Sequence, residues 1–303
     1  MSATGAAGAP LGAVRLWAIA ARPRTLPAAI APVLVGTALA GSEDEFRPLA
    51  FAAALLGSVF IQIGTNLSND YSDARRGADT EDRLGPVRVT AGGLMPPRKV
   101  LIGTYVAFGI AVAAGAYLAA VAGWELLAVG AASILAGVLY TGGPRPYGYE
   151  GLGELFVFLF FGVVAVAGSY FVQTEELRWE AFALSVPVGL LAAAILVVNN
   201  VRDVETDRRA GKRTLAVKLG RRRADSLYAA MLGIAFATPV AIWLAGGLSA
   251  WVLLSLAALP LVPPLVRTVL KRTDGPSLNA ALARTGALLA VFSALLSIGV
   301  LLS

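Results

Sequence analysis

Two stretches of the sequence place asparagine and aspartate side chains at intervals of three and four residues. Asn66, Asp70 and Asp73 close one long apolar run. A second set closes a later run and consists of Asn199, Asp203 and Asp207. Residues at these spacings share one face of a helix. Two such faces opposed in a bundle would form an oxygen-lined pocket for divalent cations.

The residue types restrict which metal such a pocket would take. The chain contains no Cys and no His, so it lacks thiolate ligands, the commonest transition-metal ligand and the usual proton shuttle at neutral pH. Only hard oxygen ligands remain, and these favour Mg²⁺, Mn²⁺ or Ca²⁺.

Basic side chains lie close to both sets in the sequence. Surface salt bridges would account for some of these pairs. The same mixture also suits a metal–diphosphate site, because carboxylates bind Mg²⁺, the metal bridges diphosphate oxygens, and Lys or Arg takes the remaining charge. The candidate diphosphate ligands are Arg88, Arg145, Arg202 and Lys212. Asp79 is a weaker candidate that could also reach the metal.

A Gly/Pro-rich stretch over 140–154 contains three tyrosines. An interfacial aromatic belt would explain Tyr147 or Tyr149. The dense Gly/Pro framework instead favours a shaped loop over a pocket. Another constrained segment, Arg22-Pro-Arg24-Thr-Leu-Pro, opens the first long apolar run, where membrane anchoring would account for one of the two arginines.

Apolar segments of membrane-spanning length must position these motifs. The 303 residues are 57% hydrophobic and only 15% charged, and the mean hydropathy is +0.72, which is too apolar for an ordinary soluble domain. We predict an all-α polytopic membrane protein with about nine transmembrane helices in a single bundle. We expect a disordered tail over 1–13 and a single membrane domain over 14–303. The predicted spans are 26–41, which 14–22 could extend, 49–67, 100–122, 125–140, 153–173, 181–200, 227–245, 249–270 and 281–302.

The distribution of charge predicts an orientation. With nine spans and a cytoplasmic N-terminus, all but two of the 25 Lys and Arg fall on the cytoplasmic side, the exceptions being Arg47 and Arg178. This is the positive-inside pattern of a cell (inner or plasma) membrane protein. It places both Asn/Asp sets on the cytoplasmic side and the C-terminus outside. The net charge of +6 therefore reflects orientation, and no nucleic-acid partner is expected.

Several motifs together resemble a known family. They are Arg22-Pro-Arg-Thr-Leu-Pro27, Asn66-Leu-Ser-Asn-Asp-Tyr-Ser-Asp73, Tyr140-Thr-Gly-Gly-Pro with Tyr147-Gly-Tyr-Glu-Gly-Leu-Gly-Glu154, and Asn199-Asn-Val-Arg-Asp203 with Gly211-Lys-Arg-Thr-Leu-Ala-Val217. In order and type they resemble the UbiA superfamily of intramembrane prenyltransferases. Among these, the chain is most similar to the 1,4-dihydroxy-2-naphthoate polyprenyltransferases of menaquinone synthesis.

The resemblance implies helices around a central cavity, with a polyprenyl diphosphate whose tail lies in a lipid-facing tunnel. It implies two Mg²⁺ ions held by Asn66, Asp70 and Asp73 on one side and by a second face on the other. That second face consists of Asn199, Asp203 and Asp207. The four aspartates would be catalytic, because the metals and basic side chains stabilise the departing pyrophosphate and leave an allylic carbocation.

In such a reaction the carbocation is attacked by 1,4-dihydroxy-2-naphthoate. The acceptor loses CO₂, and the product is demethylmenaquinone. Tyr140 and Tyr147 would lie beside the cation and the acceptor. Arg24 or Arg145 would bind the carboxylate of the acceptor, with Arg24 preferred.

Two other functions stay open from the sequence. One is a UbiA-type transfer to a different acceptor, such as 4-hydroxybenzoate or homogentisate. The other is an ion-coupled transporter, although transporters place polar groups near mid-membrane, whereas both sets here lie at one interface. ATP-driven transport and serine hydrolysis have no support, because the sequence lacks a G-x-x-x-x-G-K-[ST] loop and a G-x-S-x-G elbow.

Overall fold

The computed structural model describes residues 12–78 and 84–303, and within these ranges it is helical with no β-strand. The helices are α1 (Ala13–Ala21), α2 (Pro27–Gly41), α3 (Pro48–Arg75), α4 (Pro97–Ala122), α5 (Glu125–Leu139), α6 (Gly153–Thr174), α7 (Trp179–Arg202), α8 (Val204–Arg209), α9 (Leu215–Leu219), α10 (Arg221–Leu244), α11 (Ala250–Lys271) and α12 (Gly275–Leu301). Short 3₁₀ turns occupy Pro23–Thr25 and Tyr147–Glu150.

The all-helical, membrane-spanning fold predicted from the sequence is confirmed. In the described part of the chain, 7 helices are long and apolar enough to cross a membrane, or 8 if α1 and α2 form one bent span. The remaining predicted span corresponds to α5, an apolar helix of 15 residues. At 1.5 Å per residue it is about 22 Å long, which is short of the ~30 Å hydrocarbon core. The count of nine is thus approximate.

The first predicted span, 26–41, corresponds to α2, and its possible extension over 14–22 forms a separate helix, α1. Arg22 ends α1 in the left-handed conformation (φ 55°), and α1 and α2 differ in direction by 53°. A non-glycine residue rarely adopts this backbone conformation. Residues 23–25 form a 3₁₀ turn instead of continuing the helix. Because α1 begins at Ala13, the predicted tail over 1–13 ends before this residue, and residues 1–11 lie outside the described ranges.

Helix α7 forms the centre of the bundle. It packs against α2, α6, α10 and α12. In its most apolar stretch of 18 residues, 72% of the residues are buried inside the protein. Its buried positions are mostly Ala, Val and Leu, which pack closely on several sides at once. A rigid central helix fixes the position of the Asn/Asp sequence at its C-terminal end.

Glycines bring α6 and α7 into backbone contact. A Cβ added at Gly162 would lie 2.7 Å from the Cα of Gly189, and one added at Gly189 would lie 3.0 Å from the Cα of Gly162. Gly162 belongs to a π-helical segment over Phe158–Val164, a widened turn that is frequent near functional sites. This contact holds one wall of the bundle interior against the central helix.

We expect Gly162→Ala to destabilise the bundle by about 1–3 kcal/mol, because the new methyl group would overlap backbone that cannot move aside. Thermal unfolding in detergent would measure the effect. Gly233→Ala is the matched control, since a Cβ at this position in α10 meets nothing within 4 Å. Equal melting temperatures for the two variants would contradict the close packing of α6 on α7.

Candidate active site

Asp73, in the last turn of α3, is the point where four segments of the chain meet. The Tyr149 hydroxyl donates to Asp73 Oδ1 at 2.6 Å. Arg88 Nη2 lies 3.4 Å and Lys212 Nζ 3.9 Å from Asp73 Oδ2. The Asp73 side chain is only 2% exposed. A buried carboxylate is stabilised by such contacts, and here they come from the loop after α3, the loop after α5 and the loop after α8.

Asp203 forms the second charged centre, at the end of α7. Arg202 Nε and Nη2 donate to its two carboxylate oxygens at 2.8 and 2.5 Å. Arg202 also donates to Asn199 Oδ1 at 2.9 Å and to Asn279 Oδ1 of α12 at 2.6 Å. The structure therefore gives Arg202, a predicted diphosphate ligand, contacts with neighbouring side chains of the site. Its guanidinium is consumed in orienting Asp203 and Asn199 and does not line the cavity.

Asp70, a predicted metal ligand, accepts hydrogen bonds from backbone N–H groups of the loop after α3 in the structure. Its Oδ2 accepts from the backbone N–H of Val89 at 3.1 Å, and its Oδ1 accepts from Thr90 at 2.9 Å. The carboxylate thus fixes the loop that carries Arg88, and Asp70 is not among the residues that line the cavity. Asn69 lines the cavity in its place, next to Asp73 on the helix face, and accepts a hydrogen bond from Thr141 Oγ1 at 3.0 Å.

Asn66 does line the cavity, but its amide group is used in a structural contact. Asn66 Nδ2 donates to the backbone oxygen of Ala21 at 3.0 Å and to Thr25 Oγ1 at 3.1 Å. Gln62 Nε2 donates to the same Thr25 hydroxyl at 3.0 Å. The first residues of the polar stripe on α3, Gln62 and Asn66, therefore hold the bend between α1 and α2. Only Asn69 and Asp73, nearer the C-terminal end of α3, reach the charged centre.

Two predicted arginines lie outside the cavity. Arg24 and Arg145 are both exposed, and neither lines it. Arg22 lines the cavity instead, with Nη2 3.4 Å from the backbone oxygen of Asn66. The left-handed conformation at Arg22 turns the chain so that this arginine faces inward and the one after the proline faces out.

Tyrosines and a phenylalanine form a stack beside the charged centres. Tyr147 stacks on Phe156 with ring centroids 4.0 Å apart and meets Tyr140 edge-on at 5.5 Å. All three rings line the cavity. Burial raises the pKa of Tyr147, so its hydroxyl stays protonated and remains a hydrogen-bond donor at neutral pH. Tyr149, which the sequence left as an interfacial residue, contacts Asp73, and its ring lies 4.9 Å from Lys212 Nζ.

A single cavity of about 520 Å³ joins these groups to an apolar interior. At its polar end lie Asn69, Asp73, Arg88, Asn199, Asp203, Asp207 and Lys212. Beyond them the lining becomes apolar, formed by α3, α4, α5 and α6. Asp73 and Ala54 both line it and are 19 positions apart on α3, or about 28 Å along the helix axis. The cavity thus extends through most of the thickness of an apolar bilayer core.

The second Asn/Asp set is not on one continuous helix. Helix α7 ends at Arg202, and α8 begins after Asp203. Asp207 nevertheless lines the cavity, because its backbone N–H donates to the oxygen of Asp203 at 2.7 Å and continues the helical direction. Asn199, Asp203 and Asp207 therefore do face the same space as Asn69 and Asp73.

Known proteins are similar to this chain in sequence and in fold. A sequence model of the UbiA prenyltransferase family matches residues 29–296. The chain belongs to this family. It is 42% identical over 277 residues to the 1,4-dihydroxy-2-naphthoate octaprenyltransferase of Mycobacterium tuberculosis, covering 91% of this chain and 94% of that protein. To the Escherichia coli enzyme of the same name it is 38% identical over 281 residues, covering 90% and 91%.

The fold is also that of solved UbiA homologues. A UbiA homologue from Archaeoglobus fulgidus, solved bound to DMAPP and Mg²⁺, superimposes with a TM-score of 0.64 at 16% sequence identity. The superposition covers 93% of this chain and 99% of the homologue.

The donor set of this UbiA-family chain suits a hard divalent cation that shares its coordination with a ligand. Over 12–78 and 84–303, no group of three or more acidic side chains is arranged to hold a metal by itself. Carboxylate and amide oxygens line both sides of the polar end. Mg²⁺ commonly takes one or two carboxylates and completes its octahedron with phosphate oxygens and water. Asp79, the additional metal candidate, lies outside the described residues.

We expect Asp70→Ala to destabilise the protein by about 1–3 kcal/mol for each backbone N–H that loses its acceptor. Thermal unfolding in detergent and amide hydrogen exchange at Val89 and Thr90 would show the loss. Asp70→Asn, which keeps one carbonyl acceptor, should lie between Asp70→Ala and the wild type. Loss of turnover with unchanged melting and unchanged exchange would instead identify Asp70 as a direct ligand.

Proposed function

We propose that this protein transfers a polyprenyl group from polyprenyl diphosphate to 1,4-dihydroxy-2-naphthoate, with loss of pyrophosphate and CO₂, to give demethylmenaquinol, the reduced form of demethylmenaquinone. The observation that carries the proposal is one cavity with two opposed Asn/Asp faces and two basic side chains at its polar end and a long apolar interior behind them. The name shared by the relatives at 42% and 38% identity supports the choice of acceptor.

The polar end suits the diphosphate of the donor. Arg88 and Lys212 converge on Asp73 from two loops and would transfer part of their interaction to diphosphate oxygens. Asn69 and Asp73 on one side, with Asp203 and Asp207 on the other, would hold Mg²⁺, the ion bound with DMAPP in the Archaeoglobus fulgidus homologue. Bound there, Mg²⁺ would supply positive charge that stabilises the leaving pyrophosphate.

The chain's own residues would stabilise the allylic cation that forms when pyrophosphate leaves. The rings of Tyr140, Tyr147 and Phe156 line the cavity beside the polar end and present negative faces to such a cation. The electron-rich acceptor ring forms a C–C bond to this cation at the carbon that carries the carboxylate. Release of CO₂ returns the bonding electrons to the ring. Arg22, which lines the cavity, is the cation that would bind the acceptor's carboxylate before this step.

The acceptor test is an assay of purified protein in detergent with Mg²⁺, geranyl diphosphate and a panel of acceptors. We expect prenylation of 1,4-dihydroxy-2-naphthoate and CO₂ release, both abolished by chelation of divalent metal. Asp73→Asn should lower turnover by about 100-fold or more, as for other groups that stabilise developing charge. Asp225→Asn is the matched control, a buried aspartate paired with Arg221 at 3.4 Å and away from the cavity.

Three results would reject the proposal. Prenylation of 4-hydroxybenzoate or homogentisate with no reaction of the naphthoate would make the acceptor wrong. No product from any acceptor, together with ion flux in proteoliposomes, would favour the transporter. Equal loss of turnover in Asp73→Asn and Asp225→Asn would remove the assignment of Asp73 to the reaction.

We further propose that the polar end faces the cytoplasm. The support is the positive-inside distribution of Lys and Arg along the sequence. Because the protein has no cysteine, single cysteines report on sidedness without background.

Glu205→Cys and Glu176→Cys form a matched pair, since these side chains are 75% and 67% exposed at opposite ends of the bundle. In intact cells an impermeant maleimide should label Glu176→Cys only, and permeabilisation should add Glu205→Cys. The reverse order of labelling would invert the orientation.

A further inference from the structure

Three glycines of the cavity wall face open space. A Cβ added at Gly115, Gly130 or Gly168 would meet nothing within 4 Å, and all three residues line the cavity. A side chain introduced at any of these positions in the cavity wall would therefore not first meet a neighbouring helix.

The three glycines lie at one depth. Gly115 is 7 residues before the end of α4 at Ala122, Gly130 is 5 residues after the start of α5 at Glu125, and Gly168 is 6 residues before the end of α6 at Thr174. At 1.5 Å per residue each is about 8–10 Å from the helix end opposite the charged groups. They belong to three different helices and surround the far part of the cavity, near the level of Ala54 on α3.

Two other glycines of the cavity wall have reasons in packing. A Cβ at Gly137 would lie 2.2 Å from Thr65 Oγ1, and one at Gly148 2.6 Å from a Tyr140 ring carbon. A Cβ at Gly57 would make an ordinary contact, 3.7 Å from the Cβ of Ala114. Glycine is among the least favourable residues inside a helix, so its use at positions 115, 130 and 168 is not explained by close approach of neighbours. What glycine preserves there is the width of the cavity.

We propose that Gly115, Gly130 and Gly168 determine which prenyl chain lengths the protein accepts, by keeping the far end of the cavity open to long chains. The inference rests on the proposed function for the identity of the ligand. The diphosphate end of the proposed site is at Asp73. Gly57 of α3, which lies beside Ala114 and so next to Gly115, is 16 positions or about 24 Å from Asp73 along the helix axis. A short prenyl chain ends before it reaches the three glycines, whereas a long chain must pass between them.

The experiment replaces each of the three glycines by leucine singly. It also replaces Gly115 on α4 and Gly168 on α6 together. Gly109→Leu on α4 and Gly233→Leu on α10 are the controls, because a Cβ at these positions also meets nothing within 4 Å but neither residue lines the cavity. Leucine favours a helix more than glycine does, so folding should be retained, and thermal unfolding in detergent would verify it.

Two readouts use geranyl diphosphate as the short donor and octaprenyl diphosphate as the long one. The first is the ratio of kcat/KM for the two donors with 1,4-dihydroxy-2-naphthoate. The second is the ratio of their dissociation constants with Mg²⁺ and no acceptor. We expect each leucine in the cavity wall to shift both ratios against the long donor by about tenfold or more, since methylene groups of the tail lose apolar contact. The controls should keep the wild-type ratios.

The outcomes separate this inference from the proposed function. Unchanged ratios in the three cavity variants, or equal shifts in Gly109→Leu and Gly233→Leu, would overturn the role of the glycines. If the naphthoate is not prenylated by the wild type but the binding ratios shift only in the cavity variants, the proposed acceptor fails while the inference stands.

Discussion

Carboxylates buried at the end of an apolar bundle need cations in contact with them, and the helix ends and loops at the polar end of the cavity supply these cations. An isolated charge at such a position would be very costly, whereas one with paired donors is tolerated. Asp203 takes both its partners from Arg202, which also reaches α12 through Asn279. Asp73 takes Tyr149, Arg88 and Lys212 from three loops. The pairing thus places three loops and two helix ends around one opening.

The remainder of the cavity depends on how the helices pack. Backbone contact between α6 and α7 through Gly162 and Gly189 holds one wall against the most buried helix. Helix α5 packs on α3 and α4 and closes the side opposite the central helix. Helix α5 has only 15 residues, and Leu127, which lines the cavity on this helix, is 52% exposed. A tail of hydrocarbon character would meet lipid along this side.

The sequence predicted the helices well and the site only in part, for reasons that particular residues make clear. Apolar runs and loop charges are strong signals, so each predicted segment coincides with a helix of the structure. The ends differ most at α3, which continues eight residues beyond the predicted 67, and at α10 and α12, which begin six residues earlier than predicted. On α3, however, Asn66 and Asp73 are two turns apart, and either Asn69 or Asp70 completes a stripe between them. Spacing alone cannot decide whether Asn69 or Asp70 faces the cavity, because that depends on the loop backbone N–H groups that donate to Asp70. The sequence favoured Arg24, whereas Arg22 lines the cavity in the structure, because the left-handed backbone at Arg22 turns the chain and decides which of the two side chains faces inward.

The contacts of Asp73 have a consequence for the order in which ligands assemble. Its carboxylate interacts with Arg88 and Lys212, so a metal ion must compete with these cations for it. A diphosphate that draws the two side chains towards its own oxygens removes that competition. Under the proposed function, metal and donor therefore bind with positive thermodynamic coupling, and each raises the affinity for the other by the same factor. Metal alone would bind weakly, so the polar end of the cavity would rarely hold a metal ion in the absence of the prenyl diphosphate.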